Sequence, residues 1–211
     1  MLTADCSETG GHKLRESFVS GKDRLVAAAI EIISDSGLLA LSNEALAAKE
    51  NMPVELIYRY FGSIDEVLSE VVDYYVRFDS GIMSTVLAKQ VSNVEKIKSF
   101  FEAYTTYYES YYAMATLSLQ YEELLHHHAT RDKIAECISG RGLFLKTLFE
   151  DAIKEGEIST ALTPGELADT VRGVFLMHIQ NRRVSTLRRS FKEGYMDYLD
   201  RWFDSIKSGG V

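Results

Sequence analysis

Only two prolines, Pro53 and Pro164, interrupt the 211 residues, and this scarcity constrains the fold more than any other feature. Proline breaks helix interiors and recurs in turns, so a chain almost without it reads as long helices with few interruptions. The candidate segments are rich in Ala, Leu, Glu and Lys, all good helix formers. No segment sustains the alternation of a strand, and there is no internal repeat or low-complexity tract. The expected fold class is all-α. With 46% hydrophobic residues and a net charge of -8, the chain can build one sizeable core and a smaller one. No apolar run approaches the roughly 20 residues that cross a bilayer. The start, Met1 to His12, is polar and acidic, unlike a signal peptide. Cys6 and Cys137 make no disulfide framework, which agrees with a reducing compartment. A cytoplasmic protein without membrane contact is expected.

Residues 1–21 have no apolar period and read as a loose arm. From Lys22, the residues Leu25, Ala28, Ala29, Ile32 and Ile33 recur at helical spacing until Gly37 supplies a stop. Ser42 can cap a short helix ending near Lys49, with Leu46 facing inward. Asn51 suits a tight or left-handed turn, and Pro53 suits the start of a third helix, where its missing donor costs nothing. Ile57 and Phe61 share a face of that helix. Ser63 and Glu66 form a capping box, opening a fourth helix through Val67, Leu68, Val71, Val72 and Tyr75 and past Phe78. A helix of this length joins a head to a body. Further helices are expected at 92–110, 112–127, 131–155, 164–182 and 189–207, with Thr163, Pro164 and Glu166 marking one firm start. The chain divides into an arm (1–21), a three-helix head with the start of the linking helix (22–79) and a larger helical body (80–211).

Three short helices with a tight turn between the second and third describe a helix-turn-helix head. The specific signal is the stretch from Ser42 to Leu68, SNEALAAKENMPVELIYRYFGSIDEVL. Ser42 stands as a cap, Leu46-Ala47 as an apolar pair and Asn51-Met52-Pro53 as a turn. Ile57-Tyr58-Arg59-Tyr60-Phe61 follows as an aromatic run, and Ser63 with Leu68 opens the next helix. In these positions the chain resembles the TetR family, as does the Ala-rich first helix from Arg24 to Gly37. Lys154 to Ile158, followed by Leu167-Ala168 and Gly173, looks like that family's last crossover into its dimerisation helices.

The resemblance implies that the third helix, opened by Pro53, enters the major groove of double-stranded DNA. It would present Val54, Glu55, Leu56 and Arg59 to base edges or phosphates. The hydroxyls of Ser42, Tyr58 and Tyr60 would meet phosphate oxygens, contacts that fix position while groove-facing side chains read sequence. The implied protein is a ligand-responsive transcriptional regulator, usually a repressor, bound as a homodimer to a palindromic operator. It needs no cofactor and catalyses nothing.

Three features depart from the family pattern. Ile64 stands where a phosphate-binding lysine is common, and Glu55 where a glycine is common in the third helix. Residues 1–79 carry 7 basic and 14 acidic residues, whereas residues 80–211 carry 16 and 17. Nearly all the negative balance therefore lies in the part that should approach a polyanion, and phosphate attraction normally supplies much of DNA affinity. The competing reading is a TetR-shaped dimeric ligand-sensing or interaction protein with weak or absent DNA binding.

In the body, Phe101, Tyr104, Tyr108 and Tyr111 offer large rings with polar tips, suited either to an organic, apolar or aromatic effector or to ordinary packing. Met114, Phe144, Leu148, Phe175 and His178 are candidate opposite walls. His126, His127 and His128 are adjacent, so a regular helix points them 100° apart, and no metal site is expected. Phe191, Tyr195, Tyr198, Leu199 and Trp202 form an apolar stripe at helical spacing, the candidate dimer face.

Overall fold

Most residues that the structure describes, 20–184 and 190–207 of a computed structural model, are helical; an isolated bridge pairs Ile158 with Lys207. These residues form two compact units that divide between Val71 and Val72.

In the first unit, the Ser20 hydroxyl accepts from the Asp23 N–H and starts helix α1 (Gly21–Ser36). Ser20 and Gly21 thus belong to the helix start, while the rest of the expected arm lies outside the described residues. The α1 stripe of Leu25, Ala28, Ala29, Ile32 and Ile33 is buried. Ser42 caps α2 (Asn43–Glu50) by accepting from the Ala45 N–H. Asn51 then takes the left-handed conformation, φ 52 and ψ 49. Its N–H donates to the Ala48 carbonyl and that of Met52 to the Ala47 carbonyl, the pair of bonds that closes a helix with a Schellman turn. Pro53 caps α3 (Val54–Tyr60), whose Ile57 is buried together with the following Phe61. The three helices pack on one another.

Helix α4 (Ile64–Leu87) runs from this unit into the second. Ser63 Oγ accepts from the Glu66 N–H at 3.3 Å, and the Glu66 carboxylate accepts from the Gly62 N–H at 2.8 Å. The return bond thus reaches one residue further back than in a standard capping box. The units divide before Asp79, the expected boundary, because Tyr75 and Asp79 already bond to side chains of the body.

The body comprises α5 (Asn93–Ser110), α6 (Tyr112–Leu117), α7 (Tyr121–His126), α8 (Arg131–Lys154), α9 (Pro164–Val184) and α10 (Phe191–Ile206). The single helix expected over 112–127 is broken by a 3₁₀ turn at Ser118–Gln120. There Ser118 and Tyr121 bond the buried Tyr75 hydroxyl at 3.0 and 2.6 Å. Thr163 and Glu166 form a fully reciprocal capping box at the start of α9. Helix α8 packs on α5, α7 and α9, and α10 packs on α5 and α9. The α10 stripe consequently fills the protomer's own core: Phe191, Tyr195 and Leu199 are buried, and the Tyr195 ring lies 5.1 Å from Phe101 and 4.8 Å from Phe175. Of the candidate dimer residues, only Tyr198 and Trp202 retain partial exposure. Among the described residues, no helix is long and apolar enough to cross a membrane.

Candidate DNA-reading face and ligand cavity

The turn at Asn51 and the cap at Pro53 set the direction of α3, and burial of Ile57 sets its rotation. Its outer face then carries Glu55, Tyr58 and Arg59, all exposed, with Val54 and Leu56 half-buried beside them. Tyr58 is 56% exposed and Tyr60 46%. The Tyr60 ring lies directly over the Cα of Gly21, where any side chain would collide with it. Ser42 is half-buried, and its oxygen accepts the α2 capping bond. Pro53 is exposed.

Three of the four cations described in this unit are engaged internally. Lys22 pairs with Glu70, Arg24 with Glu50 at 2.7 Å and Lys49 with Glu31 at 2.7 Å. The Glu31 carboxylate bonded to Lys49 holds that ammonium above its ordinary pKa. Arg59 makes no ion pair or hydrogen bond among the described residues. Lys22 and Arg24, at the start of α1, are thus both held by carboxylates from neighbouring helices.

A cavity of about 260 Å³ lies in the body. Phe100, Phe101, Tyr104, Phe175 and Ile179 form its apolar walls, and Ile138, Asp169, Arg172 and Leu176 its outer rim. Of the nine residues expected there, Phe101, Tyr104 and Phe175 line it. The other six do not, each for a visible reason. Tyr108 is fully buried, with its hydroxyl 2.9 Å from that of Tyr75. Tyr111 packs edge-on to Tyr107. Met114 and Leu148 are buried in the surrounding core, and Phe144 lies behind Phe100 at 5.2 Å. The His178 ring turns toward Tyr195 and Tyr198, with Nδ1 2.9 Å from the Val174 carbonyl.

The inner end of the cavity is polar and was not foreseen. Arg141, on α8, donates through Nε to Asp79 Oδ1 at 3.0 Å and forms an ion pair with it, Nη2 lying 2.8 Å from the same oxygen. It also donates through Nη2 to the Tyr75 hydroxyl and through Nη1 to that of Tyr121. The Cys137 thiol completes the group, 3.5 Å from Asp79 Oδ2. Burial raises the Asp79 pKa more than the neighbouring Arg141 lowers it. Burial likewise pushes the Cys137 thiol up to about 12 and holds Tyr108 and Tyr121 well above the usual phenol range. Burial opposes the Arg141 charge, yet Tyr121, Tyr75 and Asp79 hold it well above its ordinary value. The Tyr104 hydroxyl, fully buried, has no hydrogen-bond partner among the described residues. One sequence signal pointed here: Asp79 falls on the inward stripe of α4, in step with Tyr75 and Ile82, and a carboxylate in that position needs a buried partner. Elsewhere His126 pairs with Glu122 one turn before it, at an exposed helix end.

Residues 25–71 match the family described as bacterial regulatory proteins, tetR family. No curated protein matches the chain by sequence. Among solved structures, the ketosteroid transcriptional regulator KstR2 of Mycobacterium tuberculosis superposes with a TM-score of 0.79 at 14% identity, over 90% of this chain and 96% of that one. FadR from Bacillus subtilis, solved with stearoyl-CoA, gives 0.67 at 17% identity over 84% and 96% of the two chains. AibR, solved with isovaleryl coenzyme A and operator DNA, gives 0.71 at 18% identity over 88% and 97%. The head thus carries the sequence of the tetR family of bacterial regulatory proteins over residues 25–71, and the described chain has the fold of these solved regulators.

Proposed function

We propose that this protein is a ligand-responsive transcriptional repressor that binds a palindromic operator as a homodimer. The observation that carries this reading is the outward face of α3. It sets Arg59, without a partner among the described residues, between two exposed tyrosines, on a helix whose entry is fixed by Asn51 and Pro53. Arg59 would reach a base edge or phosphate, and Tyr58, Tyr60 and Ser42 would bond the flanking phosphates. Two heads in a dimer would read half-sites a helical turn or more apart. The body cavity would receive a small organic effector. Its walls suit an apolar or aromatic molecule, and relatives of this fold have been solved with acyl-coenzyme A thioesters. At about 260 Å³ it falls just below the roughly 300–1,000 Å³ common for ligand pockets, which favours a short acyl or aryl group. Helix α4 contributes Tyr75 and Asp79 to the wall behind the cavity and continues into the head. It is therefore the natural lever by which differential ligand affinity would bias DNA binding.

The second reading, a TetR-shaped sensor with weak or absent DNA binding, is favoured by the three internal ion pairs of the head and by exposed Glu55. Selection of genomic DNA fragments by the purified dimer, at low and moderate salt, separates the two. The repressor reading expects a palindrome enriched at both salts and lost in Arg59→Ala. A folded dimer that enriches nothing at either salt, with or without effector, would establish the sensor instead.

A further inference from the structure

The polar groups at the inner end of the cavity are unevenly satisfied. Asp79 balances the charge of Arg141 at 2.8 Å, so the pair contributes no net charge to the cavity wall. Tyr121 takes one of the two Nη1 protons, and no described residue accepts the other. Tyr104, 1% exposed, is among the residues lining the same cavity, and its hydroxyl has no hydrogen-bond partner among the described residues. The Tyr104 ring lies under the Arg141 guanidinium, 5.2 Å from ring centroid to its carbon, so the two residues are neighbours in the cavity wall. Most of the remaining lining is apolar, from Phe100, Phe101, Ile138, Phe175, Leu176 and Ile179.

We propose that this inner end is a subsite for an uncharged hydrogen-bond acceptor on the effector, a ketone, ester or thioester carbonyl, held by the Tyr104 hydroxyl and the remaining Nη1 proton of Arg141. This rests on the reading of the cavity as the effector site and specifies what it takes. A carbonyl oxygen has two lone pairs and accepts both donors without bringing charge into a low-dielectric chamber. A carboxylate would add a second buried anion beside Asp79, where Arg141 is already engaged by Asp79 and Arg172 by Asp169, an arrangement that burial penalises. A pure hydrocarbon would leave both donors without an acceptor, and sites built to hydrogen-bond discriminate against analogues lacking the group. Arg172 at the rim, bonded to Asp169 at 3.3 Å and to the Ile138 carbonyl at 3.4 Å, stands where a longer effector would leave the cavity.

The test is calorimetric titration of the full chain with three ten-carbon probes of matched shape: butylbenzene, butyrophenone and 4-phenylbutyrate. The ketone should bind most tightly, by about tenfold over the hydrocarbon, the difference of roughly one buried hydrogen bond. Tyr104→Phe should remove that advantage and leave the hydrocarbon's affinity unchanged. The variant should keep its melting temperature, because the lost hydroxyl bonds no protein group. Equal affinity for ketone and hydrocarbon, with no effect of Tyr104→Phe, would show a ligand cavity that reads no acceptor and overturn the proposal alone. Tightest binding of the carboxylate would overturn it in favour of charge recognition. Saturable binding of none of the three would remove the effector-site reading itself, and the subsite with it.

Discussion

Asp79, Arg141 and Cys137 form a buried polar group in which the thiol is the easiest member to interrogate. Cys137 is 6% exposed and its pKa is raised to about 12. Burial makes the thiolate costly there, and the Arg141 charge offsets only part of that cost. The thiolate is the nucleophile that attacks a disulfide reagent, so in a Cys6→Ser background Cys137 should resist Ellman's reagent at pH 8 until the protein unfolds. Because the folded-state pKa lies above the unfolded value, the thiol's contribution to stability is fully present below the ordinary value of 9.0. It drains as pH rises from there toward 12. Denaturant midpoints across that range should fall less steeply in Cys137→Ser than in its parent. An equal slope in both would mean the thiol ionises freely in the fold. At this scale the sequence was least legible. Asp79 and Arg141 are 62 positions apart, and no local period announces that two charges will meet. The stripe on α4 marked Asp79 as inward, but nothing in α8 marked Arg141 as its partner.

Among the elements, the turn between α2 and α3 is where sequence and structure agree most closely, because every group involved acts locally. The Ser42 hydroxyl, the left-handed Asn51 and the cap at Pro53 each satisfy neighbours within a few residues, so their residue types alone predicted their roles. Asn51 tolerates φ 52 because its short polar side chain costs little there, whereas a β-branched residue meets the following carbonyl. Asn51→Val should therefore lower stability by about 1–2 kcal/mol in urea unfolding and weaken DNA binding, while Asn51→Gly should do neither. A valine variant as stable as the parent would mean that the turn relaxes into another conformation. Helix α10 teaches the reverse. Its stripe predicted burial correctly, but periodicity reports that a face is covered and not what covers it. Phe191, Tyr195 and Leu199 turned out to be covered by α5 and α9 of the same chain.

For the whole molecule, that result shifts the proposed dimer face. With the α10 stripe enclosed, the large apolar side chains left on the surface include Met177 and Val184, 50% and 76% exposed. They are seven residues apart on α9 and so share a face, and the half-exposed Tyr198 and Trp202 add aromatic area on α10. Met177→Glu should convert the dimer to monomer in sedimentation velocity without loss of helical circular dichroism. A dimer that survives the substitution would locate the interface elsewhere. The ion pairs of the head have a different consequence. Retention of protein on bulk chromosome depends on how many cations it offers to phosphate, since each contact releases condensed counterions. A head that neutralises Lys22, Arg24 and Lys49 on its own carboxylates offers few. Random sequence would then sequester little of the cellular pool. Occupancy of the true operator would depend on protein copy number and direct base contacts, with little competition from the rest of the genome.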